Sequence, residues 1–331
     1  MTLKEQAAGG CLSASFGRAS DRKRLDGSVA EQAPGLPACV SSCHGLAQRR
    51  RRSTAWRVAF AIAATFAAPA AASLDPPAWT RPITPYHLVG PIWYVGTEGL
   101  AAYLIKTRDG AILLDATMAE NVPAVQRSIR AVGVPLDRVK LLLVSHAHFD
   151  HAAGDAAMVR ATGAKVVAGA GDVAALESGT PPGETSYGVI RFPAVKVTRA
   201  VRDGDHVTLG GVTLRAIATP GHTPGCTSWT TRVVEHGRAL KVIFPCSVSV
   251  AGNRLFGNRR YPGIVADLRG SIARLAREPA DMVLPFHPEQ ADVQARAAEQ
   301  RLVAPTLLSA LMRDAAQDFE REVARQAKKA R

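Results

Sequence analysis

Residues 145–151 read Ser145-His146-Ala147-His148-Phe149-Asp150-His151, which places three of the chain's nine histidines within six positions of one another, beside an aspartate. In an extended chain, residues two apart face the same side, so His146 and His148 can converge on one ion. Asp150 and His151 lie just beyond and can aim at a second position nearby. Two later histidines sit in comparable runs: His222 in Thr219-Pro220-Gly221-His222-Thr223-Pro224-Gly225, and His287 in Leu284-Pro285-Phe286-His287-Pro288. Five imidazoles and one carboxylate suffice for two three-ligand zinc sites, and catalytic zinc keeps three protein ligands plus a water. Two such Zn2+ ions can share one hydroxide and clamp a tetrahedral intermediate, which is the chemistry of hydrolysis. His44, His87, His206 and His236 lack such a context and read as ordinary surface or core residues.

These runs need rigid elements behind them. Residues 139–144 are continuously apolar except for Lys140, as a buried strand would be, and the histidine cluster begins where that strand stops. Strand-like runs precede it at 92–95, 101–105 and 111–114, with Arg108-Asp109-Gly110 as a hairpin turn. Residues 120–131 carry Val122, Val125 and Ile129 at helical spacing. Residues 151–162 read as a helix ended by Gly163 in the left-handed position. A strand at 165–168 and a short helix at 172–178 follow, then a loop-rich stretch at 180–192. Further strands are expected at 196–198, 207–209, 212–218, 228–234, 240–244 and 282–284, with Glu235-His236-Gly237 as a turn. Helices are expected at 265–277 and 305–325, and the four prolines of 76–85 mark an extended approach to the first strand. Strands and helices alternate in two successive halves without a linker, which predicts one α/β domain of two sheets flanked by helices over 73–331.

Composition narrows the class. The chain has 331 residues, 47% hydrophobic and 21% charged, which excludes a disordered tail, a collagen-like fibre and a disulfide miniprotein. A core of this size needs no metal for stability, so a metal here serves chemistry. The net charge of +13 is partly local: residues 1–72 hold ten basic and four acidic side chains. The remaining basic residues are scattered, and aromatics are 5% of the chain, unlike the clustered pattern of a nucleic-acid groove. Residues 49–57 are basic, residues 58–72 are apolar and Ala-rich, and Ala70-Ala71-Ala72 closes the run. This is the pattern of a secretory signal peptide, too short to span a bilayer comfortably. The expectation is therefore a leader at 1–72, and a periplasmic, monomeric domain at 73–331 without stable membrane insertion. That domain keeps only Cys226 and Cys246, which fits an exported chain that does not rely on a disulfide framework.

The H-x-H-x-D-H string with the two later histidines resembles the metallo-β-lactamase superfamily, over about residues 83–325. The resemblance implies an αββα sandwich with two Zn2+ at one edge. It implies His146, His148 and His222 as one ligand set, and Asp150, His151 and His287 as the other, with Asp150 also orienting the bridging hydroxide. Glyoxalase II and lactonases of the superfamily place a metal-bridging aspartate after the strand that corresponds to 240–244. Here Phe244-Pro245-Cys246-Ser247-Val248-Ser249-Val250 has none. His151 together with Ser247 is similar to subclass B3, as are Tyr94-Val95-Gly96-Thr97, the His222 loop and Tyr261-Pro262-Gly263-Ile264. In that group the Ser247 position holds a water on the second zinc, and the Ser249 position helps bind the substrate carboxylate. A register shift of one would instead make Cys246 a thiolate ligand, and Pro288-Glu289-Gln290 departs from the group's pattern. The implied activity is hydrolysis of a β-lactam amide. A related lactonase or thioesterase, and a non-catalytic zinc-binding protein, are the alternatives.

Overall fold

Seven strands form the first sheet of the computed structural model, which describes residues 75–186 and 188–330. They are β1 (Tyr86–Val89), β2 (Ile92–Tyr94), β3 (Tyr103–Thr107), β4 (Gly110–Leu114), β5 (Val139–Leu143), β6 (Lys165–Gly169) and β7 (Arg199–Val201), side by side in sequence order. The first four are antiparallel, joined by short turns. From β4 onward the pairing is parallel. Parallel neighbours require long crossovers. The helices α1 (Val122–Ala131), α2 (Phe149–Ala152), α3 (Asp155–Thr162) and α4 (Val173–Ser178) supply them. The second sheet runs in the order β12-β11-β10-β9-β8. Its members are β8 (His206–Leu209), β9 (Val212–Ala218), β10 (Thr227–Glu235), β11 (Arg238–Phe244) and β12 (Met282–Val283). Only β11 and β12 pair in parallel, with α5 (Ile264–Leu275) between them in sequence. Helices α6 (Val293–Ala298) and α7 (Leu307–Ala330) complete the chain.

Strand alternation sorts the side chains into three apolar layers. Tyr103, Ile105 and Leu114 of the first sheet meet Trp229, Phe244 and Leu214 of the second. On the opposite face, Leu104, Leu113 and Leu142 meet Val125 and Ile129 of α1, Met158 of α3 and Leu176 of α4. Ile217, Ile243 and Val283 meet Leu268 of α5 and Met312 and Phe319 of α7. The architecture is the expected αββα sandwich. Residues 75–330 fall within one compact unit, and no helix among the described residues is long and apolar enough to cross a membrane. The expected leader at 1–72, with Cys11, Cys39 and Cys43, lies outside the described residues.

Several elements differ from expectation for physical reasons. Strand β1 replaces part of the expected extended approach: Tyr86 stacks on Tyr94 at 5.0 Å between ring centroids, and the flanking prolines had obscured this four-residue strand. The strand expected at 196–198 begins at Arg199 instead. Thr198 sits at its threshold, where its hydroxyl accepts the Val166 amide in place of a backbone carbonyl. The helix expected at 151–162 breaks into α2 and α3, because the Gly154 N–H turns aside to donate to the Thr117 carbonyl. Helix α6 was not anticipated, and α7 runs to Ala330 rather than 325. The Gly163 cap adopts the left-handed conformation expected of it, and the expected turn at 235–237 forms with His236 and Gly237 also at positive φ.

Phe244 is fully buried between the sheets, with its ring 5.1 Å from that of Tyr103. Phe244→Ala is expected to lower unfolding stability by about 3–5 kcal/mol, the scale for truncating a buried aromatic. Chemical denaturation checks this, and a loss under about 1 kcal/mol would show that the two sheets close over the cavity.

Candidate metal centre

The six expected residues follow the ends of three strands, β5, β9 and β12. Strand β5 stops at Leu143, and Val144 and Ser145 lead directly into His146 and His148. Asp150 and His151 occupy α2, whose single turn swings both side chains back toward the strand end. His222 lies on the loop between β9 and β10, and His287 follows β12. The structure brings all six expected residues together. His148 Nδ1 and His222 Nε2 approach to 3.0 Å. The His146 ring meets that of His222 edge-on and that of His151 at a tilt, with centroids 4.6 and 4.1 Å apart. Asp150 Oδ2 lies 3.2 Å from His151 Nε2 and 3.3 Å from His287 Nε2, and the two imidazole nitrogens are 3.2 Å apart.

These spacings fit a metal. Donors held at about 2.0–2.1 Å around a tetrahedral ion stand about 3.3–3.4 Å from one another, close to the edges of the Asp150–His151–His287 triangle. The triads His146–His148–His222 and His146–Asp150–His151 also bring their ligand atoms within 4.8 Å of each other. A further sign is that His146 Nε2 and His148 Nε2 are buried without a hydrogen-bond partner among the described residues. A buried unpaired polar atom is costly in a folded chain, and a cation is the partner that both nitrogens lack.

Burial tunes the donors toward metal binding. It takes the His148 imidazole down to about 4, and the His146 and His222 imidazoles well below their ordinary range. All three are therefore neutral ligands at neutral pH. Burial would raise Asp150, but the neighbouring His151 charge and the hydrogen bonds from His151 and His287 hold its carboxyl well below the usual range. Burial would also depress His151, yet Asp150 and Asp115 carry it up to about 10 in the metal-free chain. A bound cation must displace that proton, since metal ligands bind deprotonated.

Two buried carboxylates that the motif reading passed over hold the loops in place. Asp115, at the end of β4, accepts the Ser145 N–H at 2.7 Å, the Ser145 hydroxyl at 2.6 Å and His151 Nδ1 at 3.0 Å. It fixes the His151 tautomer and orientation, as carboxylates behind metal-bound histidines do. Asp115 and Thr117 both have positive φ, +56° and +59°, and strain of this kind clusters at functional sites. Asp172 accepts the Ala147 N–H, the Thr223 hydroxyl and the Gly225 N–H, so one side chain locks the His148 loop to the His222 loop. The only sequence signal for Asp115 was an acidic residue ending an apolar strand. Asp172 carried no signal, because its partners are distant in sequence.

The serines expected at the rim are there. Ser249 is exposed; its carbonyl lies 2.8 Å and its hydroxyl 3.4 Å from His222 Nδ1. The Ser247 and Ser249 hydroxyls are 3.0 Å apart. Trp79 was also missed: its ring lies 5.4 Å from that of His287 and 6.3 Å from Phe149, forming an apolar wall beside the site. In this structure Cys246 is not a metal ligand, but the expectation that the two cysteines serve no disulfide needs correction. Cys226 and Cys246 are joined in a disulfide, with Cα atoms 5.9 Å apart. The bridge ties the start of β10 to the end of β11, and in this state Cys246 has no thiolate to offer a metal.

Asp115→Asn keeps the shape but removes the charge that His151 leans on. It is expected to weaken metal binding by about 10–100-fold, as loss of such supporting groups typically does. Equilibrium dialysis against zinc checks this; unchanged affinity would show that packing alone orients His151.

The model of the metallo-beta-lactamase superfamily matches residues 96–287. Among solved structures, BJP-1, a subclass B3 metallo-beta-lactamase of Bradyrhizobium japonicum, is 40% identical. It superposes with a TM-score of 0.73 over 77% of this chain and 99% of its own. Native FEZ-1 metallo-beta-lactamase from Legionella gormanii is 34% identical, with a TM-score of 0.70 over 75% and 98%. Among curated relatives, a hydroxyacylglutathione hydrolase of Acidiphilium cryptum is 27% identical over 65% of this chain and 78% of its own length. A second, from Rhodospirillum rubrum, is 30% identical but matches only 40% of its own length. Fold, ligand geometry and these matches agree that the chain belongs to the metallo-beta-lactamase superfamily.

Proposed function

We propose that this chain is a dizinc β-lactamase that hydrolyses the lactam amide. The observation that carries this reading is the stretch after β11. Pro245 to Val250 contains no carboxylate where a thioester hydrolase or lactonase of the superfamily would place a bridging aspartate. Two serine hydroxyls stand at that edge of the site instead. The likeness to BJP-1 and FEZ-1, both metallo-beta-lactamases, supports the same choice.

His146, His148 and His222 would hold one Zn2+, and Asp150, His151 and His287 the other. Zinc bound in such sites supplies an acidified water and a Lewis acid for a carbonyl oxygen. The chain's own residues do the rest. Asp150, kept ionised by its two histidines, orients the attacking water through a charge-assisted hydrogen bond. Asp115 prevents His151 from rotating away. The Ser249 hydroxyl, at the exposed rim, donates to the substrate carboxylate, and the Ser247 hydroxyl steadies Ser249. Trp79 and Phe149 cover the apolar side of the bicyclic ring system and exclude bulk water. No protein nucleophile is called for, so no acyl-enzyme forms.

A second reading, hydrolysis of a hydroxyacylglutathione thioester, is favoured by the curated relatives. One assay separates the two. The wild-type chain is expected to hydrolyse a penicillin, a cephalosporin or a carbapenem, and to lose that activity with a chelator. Asp150→Ala should cut turnover by about 10²–10³-fold or more, the scale for losing one positioned electrostatic group, with an unchanged circular dichroism spectrum. Turnover of a hydroxyacylglutathione without turnover of any β-lactam would establish the second reading instead.

We also propose that the chain is exported to the periplasm after removal of residues 1–72. The basic run at 49–57, the apolar run at 58–72 and the small-residue end support this, and a disulfide is at home in an oxidising compartment. Amino-terminal sequencing of the periplasmic product should begin at Ser73; an intact leader in the cytoplasmic fraction alone would contradict it.

A further inference from the structure

The Cys226–Cys246 bridge lies against the metal centre rather than at a remote edge. Both sulfurs and a ring nitrogen of His146 lie within 4.8 Å of one another, and all three residues are buried. Cys246 Sγ lies 3.4 Å from the Ser145 carbonyl, next to His146 in the chain. Cys226 Sγ lies 3.4 Å from the Ser247 carbonyl at the rim of the site. While the two sulfurs are bonded to each other they carry no negative charge and are poor ligands. Parted and deprotonated, they would be the strongest zinc donors in the neighbourhood, since thiolates favour thiophilic cations over oxygen-rich alternatives.

We infer that the chain has a second metal-binding set, His146–Cys226–Cys246, which exists only when the disulfide is open and takes a thiophilic divalent cation such as zinc. Opening requires a reductant of the dithiol class. The S–S bond breaks and the dithiol closes into its own disulfide. Its two electrons and two protons pass to Cys226 and Cys246, which become thiols. Binding of the cation then releases both thiol protons to solvent, leaving two thiolates and a neutral imidazole around a dication.

The two sets share the His146 side chain, and a cation that takes its Nε2, unpartnered among the described residues, into the cysteine set excludes one from the all-histidine triad. A cation held by Cys226, Cys246 and His146 leaves only His148 and His222 of the all-histidine triad, two ligands where a catalytic zinc site uses three. Closing the bridge therefore commits His146 to His148 and His222. On this account the disulfide does more than stabilise the fold: it removes a competing ligand set from beneath the site. The inference concerns ligand identity alone and holds whichever substrate the enzyme takes.

Cobalt(II) is the probe, with the full-length chain in two forms. One is reduced with dithiothreitol and freed of it; the other keeps its disulfide, confirmed by peptide mass mapping. In the reduced chain, cobalt is expected to produce a near-ultraviolet thiolate-to-metal charge-transfer absorption and to block alkylation of Cys226 and Cys246. The oxidised chain should show neither effect. A reduced Cys226→Ser/Cys246→Ser double variant should also lack the absorption, and it retains Cys11, Cys39 and Cys43, so it accounts for any signal from those positions. The same absorption in the double variant would overturn the inference. So would alkylation of Cys226 and Cys246 at the metal-free rate, or a reduced chain that circular dichroism shows to be unfolded and that binds no cobalt.

Discussion

Desolvated imidazole governs this structure. His146, His148 and His222 are buried and held neutral, and two of their nitrogens face no partner among the described residues. A folded chain tolerates such groups only where the surrounding packing over-determines them. That packing comes from the sandwich itself. Two sheets meet along Tyr103, Trp229 and Phe244, and each sends its strand ends to the same edge. The loops at that edge carry the ligand-type residues, and the sheets behind them do the positioning.

Carboxylates join those loops to one another. Asp172 accepts three hydrogen bonds from two segments, the Ala147 turn 25 residues before it and the Thr223–Gly225 loop more than fifty residues after it. Asp115 does the same for Ser145 and His151. Each carboxylate is buried and surrounded by donors, so it can stay in place without water. Gly221 completes the fit on the other side. Its φ of +134° lies outside the range a side chain favours, and a Cβ there would come within 2.5 Å of Leu268 Cγ on α5. The His222 loop is thus pressed between a carboxylate and a helix, which leaves the imidazole one place to go.

Much of the site was legible in the residues alone. The H-x-H-x-D-H string and the histidines at 222 and 287 follow strand-like apolar runs, and that local pattern was enough to identify the ligand candidates. Elements with strong periodicity, such as the helix at Val122–Ala131 and the strand at Val139–Leu143, formed where expected. Weakly patterned ones did not: β1 was hidden among prolines, and β7 began three residues late because Thr198 spent its side chain on the Val166 amide. Asp115, Asp172 and Trp79 act through partners distant in sequence, so their positions had no local signature.

By itself the sequence determined which atoms could bind a metal, since donor chemistry belongs to the side chain. It also determined where strands would end, since hydrophobic runs stop at polar residues. Only the tertiary structure decided which of those atoms meet, and whether two cysteines would be ligands or a bridge. The reason is distance: Cys226 and Cys246 are twenty residues apart along the chain, and only the antiparallel pairing of β10 with β11 brings their strand ends together.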